Sequence, residues 1–241
     1  MEKINIPNHI GLILDGNRRW AKERNLPSLE GHKKGYENLK KIGPYILKKG
    51  VKYLSVYAFS TENFKRSPKE VKYLMDLIAT NFKKDAHYFL ENNIKVIFSG
   101  SRNGLREDVL DSIDYLTQIT SENTGGVMNI CINYGSHMEI LDACKEIAKE
   151  VALQKISTSE ITEELMNNKL YQNLPAIDFL IRTSGEQRLS NFMLWQAGYA
   201  EFYFPKVHFP AFDESEVDKA LIEYNNRDRR FGGNTEKENI K

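Results

Sequence analysis

Two cysteines, no long hydrophobic run and a net charge of only +1 set the first limits on this chain of 241 residues. Cys131 lies in an apolar, strand-like run and Cys144 in a helix-like run. This placement predicts two buried free thiols in a reducing compartment, and nothing indicates a disulfide framework or a zinc site. No stretch approaches the ~20 apolar residues that span a bilayer. Residues 1–8 are few and polar, so no signal peptide is predicted, and we expect a cytoplasmic protein.

The charge of the chain is balanced rather than one-sided. Lysine and arginine number 34 and aspartate and glutamate number 33, whereas general nucleic-acid binding requires a strong basic excess. With 41% hydrophobic and 28% charged residues, the chain can bury a substantial core. No repeat or linker divides it. We therefore predict one domain over residues 1–241 that binds no nucleic acid, with a polar, frayed tail at 234–241.

Short apolar runs alternate with stretches of helical periodicity along most of the chain. The predicted strands are Ile10–Leu14, Tyr53–Phe59, Ile94–Phe98, Val127–Ile132 and Phe179–Ile181. Helical spacing of apolar residues marks the stretches 39–47, 71–90 and 105–116. This alternation predicts an α/β fold with a central, mainly parallel sheet wrapped by helices.

The longest predicted helix has a well-marked start. Ser67 is placed as its N-cap, Pro68 as its first residue and Glu70 as the partner that closes a capping box. Its apolar stripe includes Met75, Ile78 and Phe82. Helical spacing favours core packing for this stripe. The alternative is that these side chains line a cavity for an apolar ligand.

The first strand ends abruptly in the polar residues Asp15, Gly16 and Asn17, which Arg18 and Arg19 follow. The carboxyl ends of parallel strands are where open α/β sheets bind ligands. Gly16 permits a tight turn whose amides can face an anion, Asp15 can hold a divalent cation, and the two arginines can neutralise phosphate oxygens. The alternative is a common Asp-Gly turn followed by a solvated helix face, and this short motif alone leaves both interpretations open.

Polar clusters follow the other predicted strands as well. The segment Ser60–Arg66 offers hydroxyls, an amide and an arginine, although a polar loop with N-cap residues explains much of it. The segment Arg182–Asn191 places two arginines and three hydroxyls around Gly185, a density of phosphate ligands that favours a diphosphate site over an ordinary loop. His32, next to two lysines, is either a diphosphate ligand or a surface histidine. Glu201 stands in apolar surroundings, where a metal would serve as its partner.

Seven segments, in this order, resemble the cis-prenyltransferase family, which includes the undecaprenyl diphosphate synthases or isoprenyl transferases. They are His9–Ala21, Gly31–Gly35, Tyr57–Val71, Asn133–Ile140, Asp178–Gln196, Tyr199–Phe204 and Arg229–Gly233. The resemblance implies a homodimer of single α/β domains, each with a hydrophobic tunnel between sheet and helices. It also implies an enzyme that adds isopentenyl diphosphate to an allylic prenyl diphosphate, usually farnesyl diphosphate, with the help of Mg²⁺. A lipid product would bring such an enzyme into contact with a membrane surface.

On the allylic side, the resemblance matches Asp15 to the catalytic aspartate that binds Mg²⁺. The positions matched to the allylic diphosphate site are Gly16, Asn17, Arg18, Arg19, Trp20 and His32. Ser60 and Asn63 match a polar pair near the reacting carbons, in which the asparagine assists proton removal. Phe64 and Arg66 belong to the same substrate-binding motif.

On the other side, the resemblance supplies a set of ligands for isopentenyl diphosphate. These are Arg182, Arg188 and Ser190. Glu201 matches a second carboxylate that the family associates with metal and dimer contacts. Arg230 and Gly232 match a tail that reaches the isopentenyl site of the partner subunit.

Two positions depart from the family pattern, and each lacks a guanidinium. Ser28 stands four residues before His32, where the family usually has an arginine, and Ser136-His137 replaces a glycine-arginine pair. A hydrogen bond to a charged group is worth ~1.5–3 kcal/mol, so the loss of a guanidinium bears on substrate choice. The alternative is that Arg24 or Lys34 compensates for it. The departures leave the matched catalytic residues in place.

Three functions remain open from the sequence. The first is a long-chain elongase that makes undecaprenyl diphosphate for the lipid carrier of cell-wall glycans. The second is a synthase of a short or irregular prenyl diphosphate for specialised metabolism. The third is a non-catalytic subunit that binds prenyl lipids, and retention of Asp15, Asn63 and Arg182 argues against it.

Overall fold

Six strands form one sheet in a computed structural model that describes residues 5–229 and Gly233. The strands are β1 (His9–Ile13), β2 (Tyr53–Ser60), β3 (Lys95–Ser99), β4 (Val127–Tyr134), β5 (Phe179–Arg182) and β6 (Glu201–Tyr203). Their spatial order is β3-β4-β2-β1-β5-β6, and every neighbouring pair is parallel. The predicted α/β fold with a parallel sheet is confirmed.

Seven α-helices connect or flank the strands in the described residues. They are α1 (Asn17–Lys22), α2 (Ser28–Lys48), α3 (Pro68–Glu91), α4 (Glu107–Ile119), α5 (Ser136–Ala152), α6 (Glu163–Lys169) and α7 (Glu214–Asn225). Short 3-10 helices occupy Thr61–Lys65, Thr158–Glu160 and Phe209–Ala211. None of the helices within residues 5–229 combines the length and the apolar character needed to cross a membrane.

The two faces of the sheet are covered differently. On one face, alternate strand residues such as Leu12, Leu54 and Ile130 pack in the main core with side chains of α2, α3, α4 and α7. On the opposite face, a smaller cluster that includes Tyr134 and Phe192 packs against the segment that follows β5. Parallel strands buried on both faces explain why the strand sequences are continuous apolar runs rather than alternating ones.

The structure corrects three details of the sequence predictions. The edge strand β6 was not predicted, because it has only three residues. Ser67 caps α3 by accepting the Glu70 amide at 3.3 Å, but the Glu70 carboxylate points elsewhere, so the predicted reciprocal capping box is absent. Cys131 is buried as expected, whereas Cys144 is exposed on α5. The predicted tail at 234–241 lies outside the described residues.

Candidate active site

The carboxyl ends of β1 and β5 bring Asp15 and Arg182 together. Ile13 and Arg182 are register partners in neighbouring strands, and the chain leaves β1 two residues later at Asp15. Arg182 is only 5% exposed, and its NH2 donates to Asp15 Oδ2 at 2.8 Å. Asp15 Oδ1 accepts from the Gly16 amide at 2.7 Å and from Arg19 at 3.0 Å. The carboxylate is thereby fixed at the point where a parallel sheet binds ligands.

Asp15 is held in its ionised form by its neighbours. Burial by itself would raise its pKa, but hydrogen bonds and positive charge from Arg182, and then from Arg19, outweigh burial and lower the pKa below its ordinary value. An ionised carboxylate of this kind accepts hydrogen bonds or coordinates a hard cation.

Arg182 also organises the loop that follows β5. Its NH1 donates to the Arg188 carbonyl at 2.6 Å and to Ser190 Oγ at 2.8 Å. Within this loop Ser184, Ser190 and Asn191 have left-handed backbone conformations, with φ of 75°, 48° and 64°. Such conformations cost energy in non-glycine residues and persist where the surroundings enforce them, most often at functional sites.

Glu186 joins the two predicted substrate loops. Its Oε1 pairs with Arg19 in the first turn of α1 at 2.6 Å, and its Oε2 pairs with Arg188 of its own loop. A carboxylate between two guanidiniums marks a place where an anionic oxygen is stabilised. The position of Glu186 inside the Arg182–Asn191 segment was the only sequence signal for this link.

Glu70 brings two arginines and a histidine together on the other side of the site. Its carboxylate lies 3.0 Å from His32 Nε2, 3.0 Å from Arg66 NH1 and 3.8 Å from Arg18. Burial lowers the pKa of His32, and the Glu70 hydrogen bond opposes that effect without reversing it. The sequence assigned Glu70 only a capping role, although its position four residues after Arg66 allows a helical ion pair.

Ser60 and Asn63 form one local unit at the end of β2. Asn63 Oδ1 accepts the Ser60 amide at 3.2 Å, and the two side chains make a capping box around the 3-10 helix Thr61–Lys65. The pairing of β2 with β4 shifts register around Ala58. This irregularity at the strand end turns the segment toward the site.

Asn191 is a structural contributor that the site prediction missed. Its side chain donates to Glu62 at 3.1 Å and accepts from the His137 amide at 2.9 Å. Its carbonyl accepts the Ser136 amide at 2.8 Å. Ser136 and His137, which form one of the two departures from the family pattern, therefore support the Arg182–Asn191 loop through their backbone amides.

Three adjoining cavities run through the site, and Leu14, Asn17 and His32 line all three of them. The largest, about 530 Å³, opens over the strand ends. The site residues predicted from the sequence that line this cavity are Asp15, Asn17, His32, Ser60, Asn63, Arg66, Arg182 and Ser190. A cationic cavity of about 410 Å³ adds Gly16, Arg18, Arg19 and Arg188.

The third cavity is apolar and lies between the sheet and helices α2 and α3. It measures about 80 Å³, and its walls include Leu74, Leu77, Ile78, Phe82 and Phe89 from α3. Ile78 and Phe82 therefore line a cavity, whereas Met75 is buried in the core and is absent from these walls. The polar cavities thus lead into an apolar one at the position of the predicted tunnel.

Three predicted residues do not line these cavities. Trp20 stacks against Arg24, whose guanidinium lies 4.4 Å from its ring, and Phe64 packs edge-on against Phe59. Glu201 begins β6 and is aligned through Phe179 with Ile10, so it lies toward the amino ends of the strands, ~16 Å along the sheet from Asp15 at ~3.3 Å per residue.

Glu201 and the C-terminal motif meet other partners within the described chain. Glu201 pairs with Arg227 at 2.9 Å. Arg229 binds Asp178 at 2.6 Å, and Arg230 and Gly232 lie outside the described residues. Asp15 and Glu201 therefore do not converge on one metal within a single chain.

The residues around Asp15 fit a Mg²⁺ ion that is shared with a substrate. Within residues 5–229 no group of three or more histidine, cysteine, aspartate or glutamate side chains forms a metal cage. Mg²⁺ does not require one, because it is commonly held by one or two carboxylates, substrate phosphates and water. Asn17 lines the same cavity, and its buried Oδ1 lies against Gly35 of α2 without a hydrogen-bond partner in the described structure, so Asp15 is the oxygen donor here that is placed to reach a cation.

Comparison with known proteins decides the family. The model described as "Putative undecaprenyl diphosphate synthase" matches residues 13–232. The chain belongs to this prenyltransferase family. Its relatives include isoprenyl transferases of Lactococcus lactis, 44% identical over 95% of this chain and 94% of the relative, and of Fusobacterium nucleatum, 46% identical over 97% and 98%.

Two solved structures of the family have the same fold. Lavandulyl diphosphate synthase from Lavandula x intermedia, in complex with dimethylallyl diphosphate, superposes with a TM-score of 0.91 at 35% identity over 94% of this chain and 98% of that one. A Campylobacter jejuni protein described as a probable undecaprenyl diphosphate synthase gives 0.78 at 29% identity over 95% and 99%. The chain is accordingly a prenyltransferase, and isoprenoid diphosphates are the substrate class of its family.

Proposed function

We propose that this prenyltransferase condenses isopentenyl diphosphate with an allylic prenyl diphosphate, in the presence of Mg²⁺, to form a cis-prenyl diphosphate. The observation that carries the proposal is the continuity of the three cavities. Cationic walls suited to diphosphates lead, past Asn17 and His32, to apolar walls suited to an isoprenoid chain.

The allylic diphosphate is assigned to the cavity at the start of α1. The backbone turns at Gly16, whose φ of +101° few other residues adopt, and Arg18, Arg19 and His32 line the space beside it. Guanidiniums held in place by Glu70 and Glu186 are ready to bind phosphate oxygens without reorganisation. The prenyl tail of this substrate would enter the apolar cavity along α3.

Isopentenyl diphosphate is assigned to the Arg182–Asn191 loop. The exposed Arg188 reaches from this loop to the wall of the cationic cavity, and Ser190 is held by Arg182 beside the main cavity. Asp15 would hold Mg²⁺ between the protein and the diphosphate. A bound Mg²⁺ would neutralise charge on the departing diphosphate.

In the proposed reaction a carbon–oxygen bond is broken and a carbon–carbon bond is formed. The allylic C1–O bond breaks, the alkene of isopentenyl diphosphate attacks C1, and C2 of the new unit loses a proton. The arginines stabilise the diphosphate that leaves. Asn63, fixed by Ser60, is proposed to orient the oxygen that accepts the proton.

The homologues support a long-chain product as the first candidate and a short one as the second. Isoprenyl transferases at 44–46% identity favour regular elongation, with undecaprenyl diphosphate for a cell-wall lipid carrier as the proposed product. The TM-score of 0.91 to lavandulyl diphosphate synthase and the 80 Å³ apolar cavity favour a short or irregular product.

A cytoplasmic homodimer is part of the proposal. β6 lies at the sheet edge, where its Phe202 stacks on Phe204, and the exposed Tyr199 lies just before the strand in sequence. An exposed strand edge with aromatic side chains is suited to burial against a second copy. Glu201 would then lie at or near that contact, and the lipid product would bring the dimer to a membrane surface.

The proposal is tested with purified protein, Mg²⁺ and labelled isopentenyl diphosphate. Dimethylallyl, geranyl and farnesyl diphosphates are supplied one at a time, and product mass is measured with and without EDTA. Condensation products that disappear with EDTA are expected. A product of many isoprene units from farnesyl diphosphate identifies an elongase, a C10 product from dimethylallyl diphosphate identifies the second candidate, and no product with any primer contradicts both.

Asp15→Asn is expected to retain the fold and lose turnover. The amide keeps an acceptor for the buried Arg182, which Asp15→Ala would leave with fewer partners, but it removes the charge that holds Mg²⁺. Loss of that stabilisation is worth several kcal/mol, so kcat should fall by at least about a hundredfold. Asp114→Asn, an exposed substitution on α4, is the control. A variant that keeps more than about a tenth of kcat contradicts the role, because that loss is only ~1.4 kcal/mol.

A further inference from the structure

One histidine outside the cavity walls connects the two substrate loops. His208 follows β6, and its Nδ1 lies 2.7 Å from Ser184 Oγ while its Nε2 lies 2.9 Å from Glu23 Oε1. Ser184 belongs to the Arg182–Asn191 loop, and Glu23 is the C-cap of α1. A single imidazole therefore connects the Arg182–Asn191 loop to the carboxyl end of α1, the helix that follows Gly16.

The main chain of Gly16 is packed directly against this pair. A Cβ at Gly16 would lie 2.0 Å from Ser184 Oγ and 2.6 Å from His208 Nδ1, so no larger residue fits without displacing them. Gly16 and Ser184 both have left-handed backbones, with φ of +101° and 75°. The hydrogen bond to His208 is one of the contacts that hold Ser184 in this unfavourable conformation.

Backbone bonds tie the same three segments together around Asp15. The Asp15 carbonyl accepts from Thr183 Oγ1 at 2.7 Å and from the Phe209 amide at 3.0 Å. The Ser184 amide donates to the Val207 carbonyl at 2.8 Å. The His208 side chain adds hydrogen bonds that connect these backbone contacts to the carboxyl end of α1.

Ser184, His208 and Glu23 have the connectivity of a hydrolytic triad, but the surroundings exclude that use. The Ser184 and Gly185 amides, which would have to stabilise an oxyanion, are bonded to the carbonyls of Val207 and Pro205. Neither Ser184 nor His208 lines any of the three cavities. The three side chains therefore stabilise the local structure, and Ser184 does not act as a nucleophile.

We propose that His208 is a positioning residue that fixes the spacing between the two diphosphate loops. The inference rests on the proposed function, since it assigns one loop to each diphosphate. Displacement of either loop moves the reacting carbons apart even when both substrates are bound, and a misplacement of about 1 Å can cost ~10²-fold in rate. Loss of the His208 side chain should therefore lower kcat and leave both KM values little changed.

The test measures kcat and both KM values for His208→Ala, Ser184→Ala and the double variant. Each single variant is expected to lose about tenfold or more in kcat at saturating substrates, with either KM changed by less than about threefold. Because the two side chains act as one unit, the double variant should be no worse than the more impaired single variant. Glu23→Gln retains an acceptor for His208 Nε2 and should keep kcat near the wild-type value. His87→Ala, an exposed change on α3, is the control.

Thermal unfolding separates positioning from loss of structure. If His208→Ala does not fold, Ser184→Ala, which removes one oxygen, decides the question. The inference is overturned if the folded variants keep kcat within about twofold, if the losses multiply in the double variant, or if only KM rises. Those results leave the proposed function intact, because wild-type protein still forms product. If the wild-type protein forms no product, the proposed function itself fails and the inference falls with it.

Discussion

At the scale of single residues, the site is built from carboxylates that each hold several cations. Asp15 pairs with Arg182 and Arg19, and Glu186 pairs with Arg19 and Arg188. Glu70 pairs with two arginines and is hydrogen-bonded to His32. A diphosphate, like these carboxylates, presents negatively charged oxygens that accept hydrogen bonds from guanidinium N–H groups. The ion pairs therefore preorganise the guanidiniums for a ligand rather than serving stability alone.

Glu70→Gln tests this organisation at His32. Burial lowers the pKa of His32, and the hydrogen bond and charge of Glu70 raise it in part. Removal of the negative charge should lower this pKa further and leave the imidazole neutral over a wider pH range. The measurement is an NMR titration of the His32 ring protons. Glu37→Gln, exposed on α2, is the matched control, and an unchanged or raised His32 pKa in Glu70→Gln contradicts the assignment.

Ser28→Arg tests the missing guanidinium on the allylic side. Ser28 is exposed at the start of α2, one turn before the cavity-lining His32. An arginine here is expected to tighten binding of farnesyl diphosphate by ~1 kcal/mol, since solvent screens an exposed pair. Calorimetric Kd values for the wild type and the variant check it. Equal Kd values and an unchanged product spectrum would show that Ser28 does not set substrate choice.

At the scale of strands and helices, the elements that could be predicted from the sequence are those with a strong local pattern of apolar or capping residues. The five strands with continuous apolar runs and the helix that begins at Ser67-Pro68 were predictable, because burial and capping act over a few neighbouring residues. β6 was not, because Glu201–Tyr203 is short and its pairing with β5 depends on the tertiary fold. The roles of Glu70, Asn191 and His208 were equally hidden, since each contacts residues distant in sequence.

A buried polar row across four strands provides a pH test of the sheet. His9 on β1 contacts Ser55 Oγ at 2.8 Å, Asn129 donates to the same oxygen at 3.0 Å, and Ser99 donates to Asn129 at 2.9 Å. Burial lowers the pKa of His9 from 6.5 to about 4, although the Pro175 carbonyl and the Asp178 charge oppose it. The His9 imidazole is therefore protonated at a higher pH in the unfolded chain than in the folded one.

The free energy of unfolding should fall as pH decreases through this window. The unfolded state binds the His9 proton below pH ~6.5 and the folded state only near pH ~4, so acidification from pH 7 to pH 5 should cost about 2 kcal/mol at this residue. Urea unfolding at the two pH values measures how much the free energy of unfolding falls in the wild type, and the same measurement on His9→Gln gives the fall without the imidazole. An equal fall in both proteins would show that His9 does not cause this pH dependence.

At the scale of the whole molecule, the parallel sheet explains why one edge holds the chemistry. The strand ends of β1, β2 and β5 deliver Asp15, Ser60 and Arg182 to the same side, and α3 closes an apolar cavity beneath them. Two loops from different strands then face each other across Glu186. The arrangement is suited to two diphosphates held side by side, with one chain extending into the interior.

The most direct measurement is a comparison of Arg18→Ala with Arg188→Ala in steady-state kinetics for both substrates. Both side chains are more than half exposed, so neither change should disturb the fold. Loss of a charged hydrogen bond, ~1.5–3 kcal/mol, predicts at least about a tenfold rise in KM for the allylic diphosphate in Arg18→Ala and for isopentenyl diphosphate in Arg188→Ala, with the other KM little changed. Equal increases in both KM values in each variant would contradict two separate diphosphate sites.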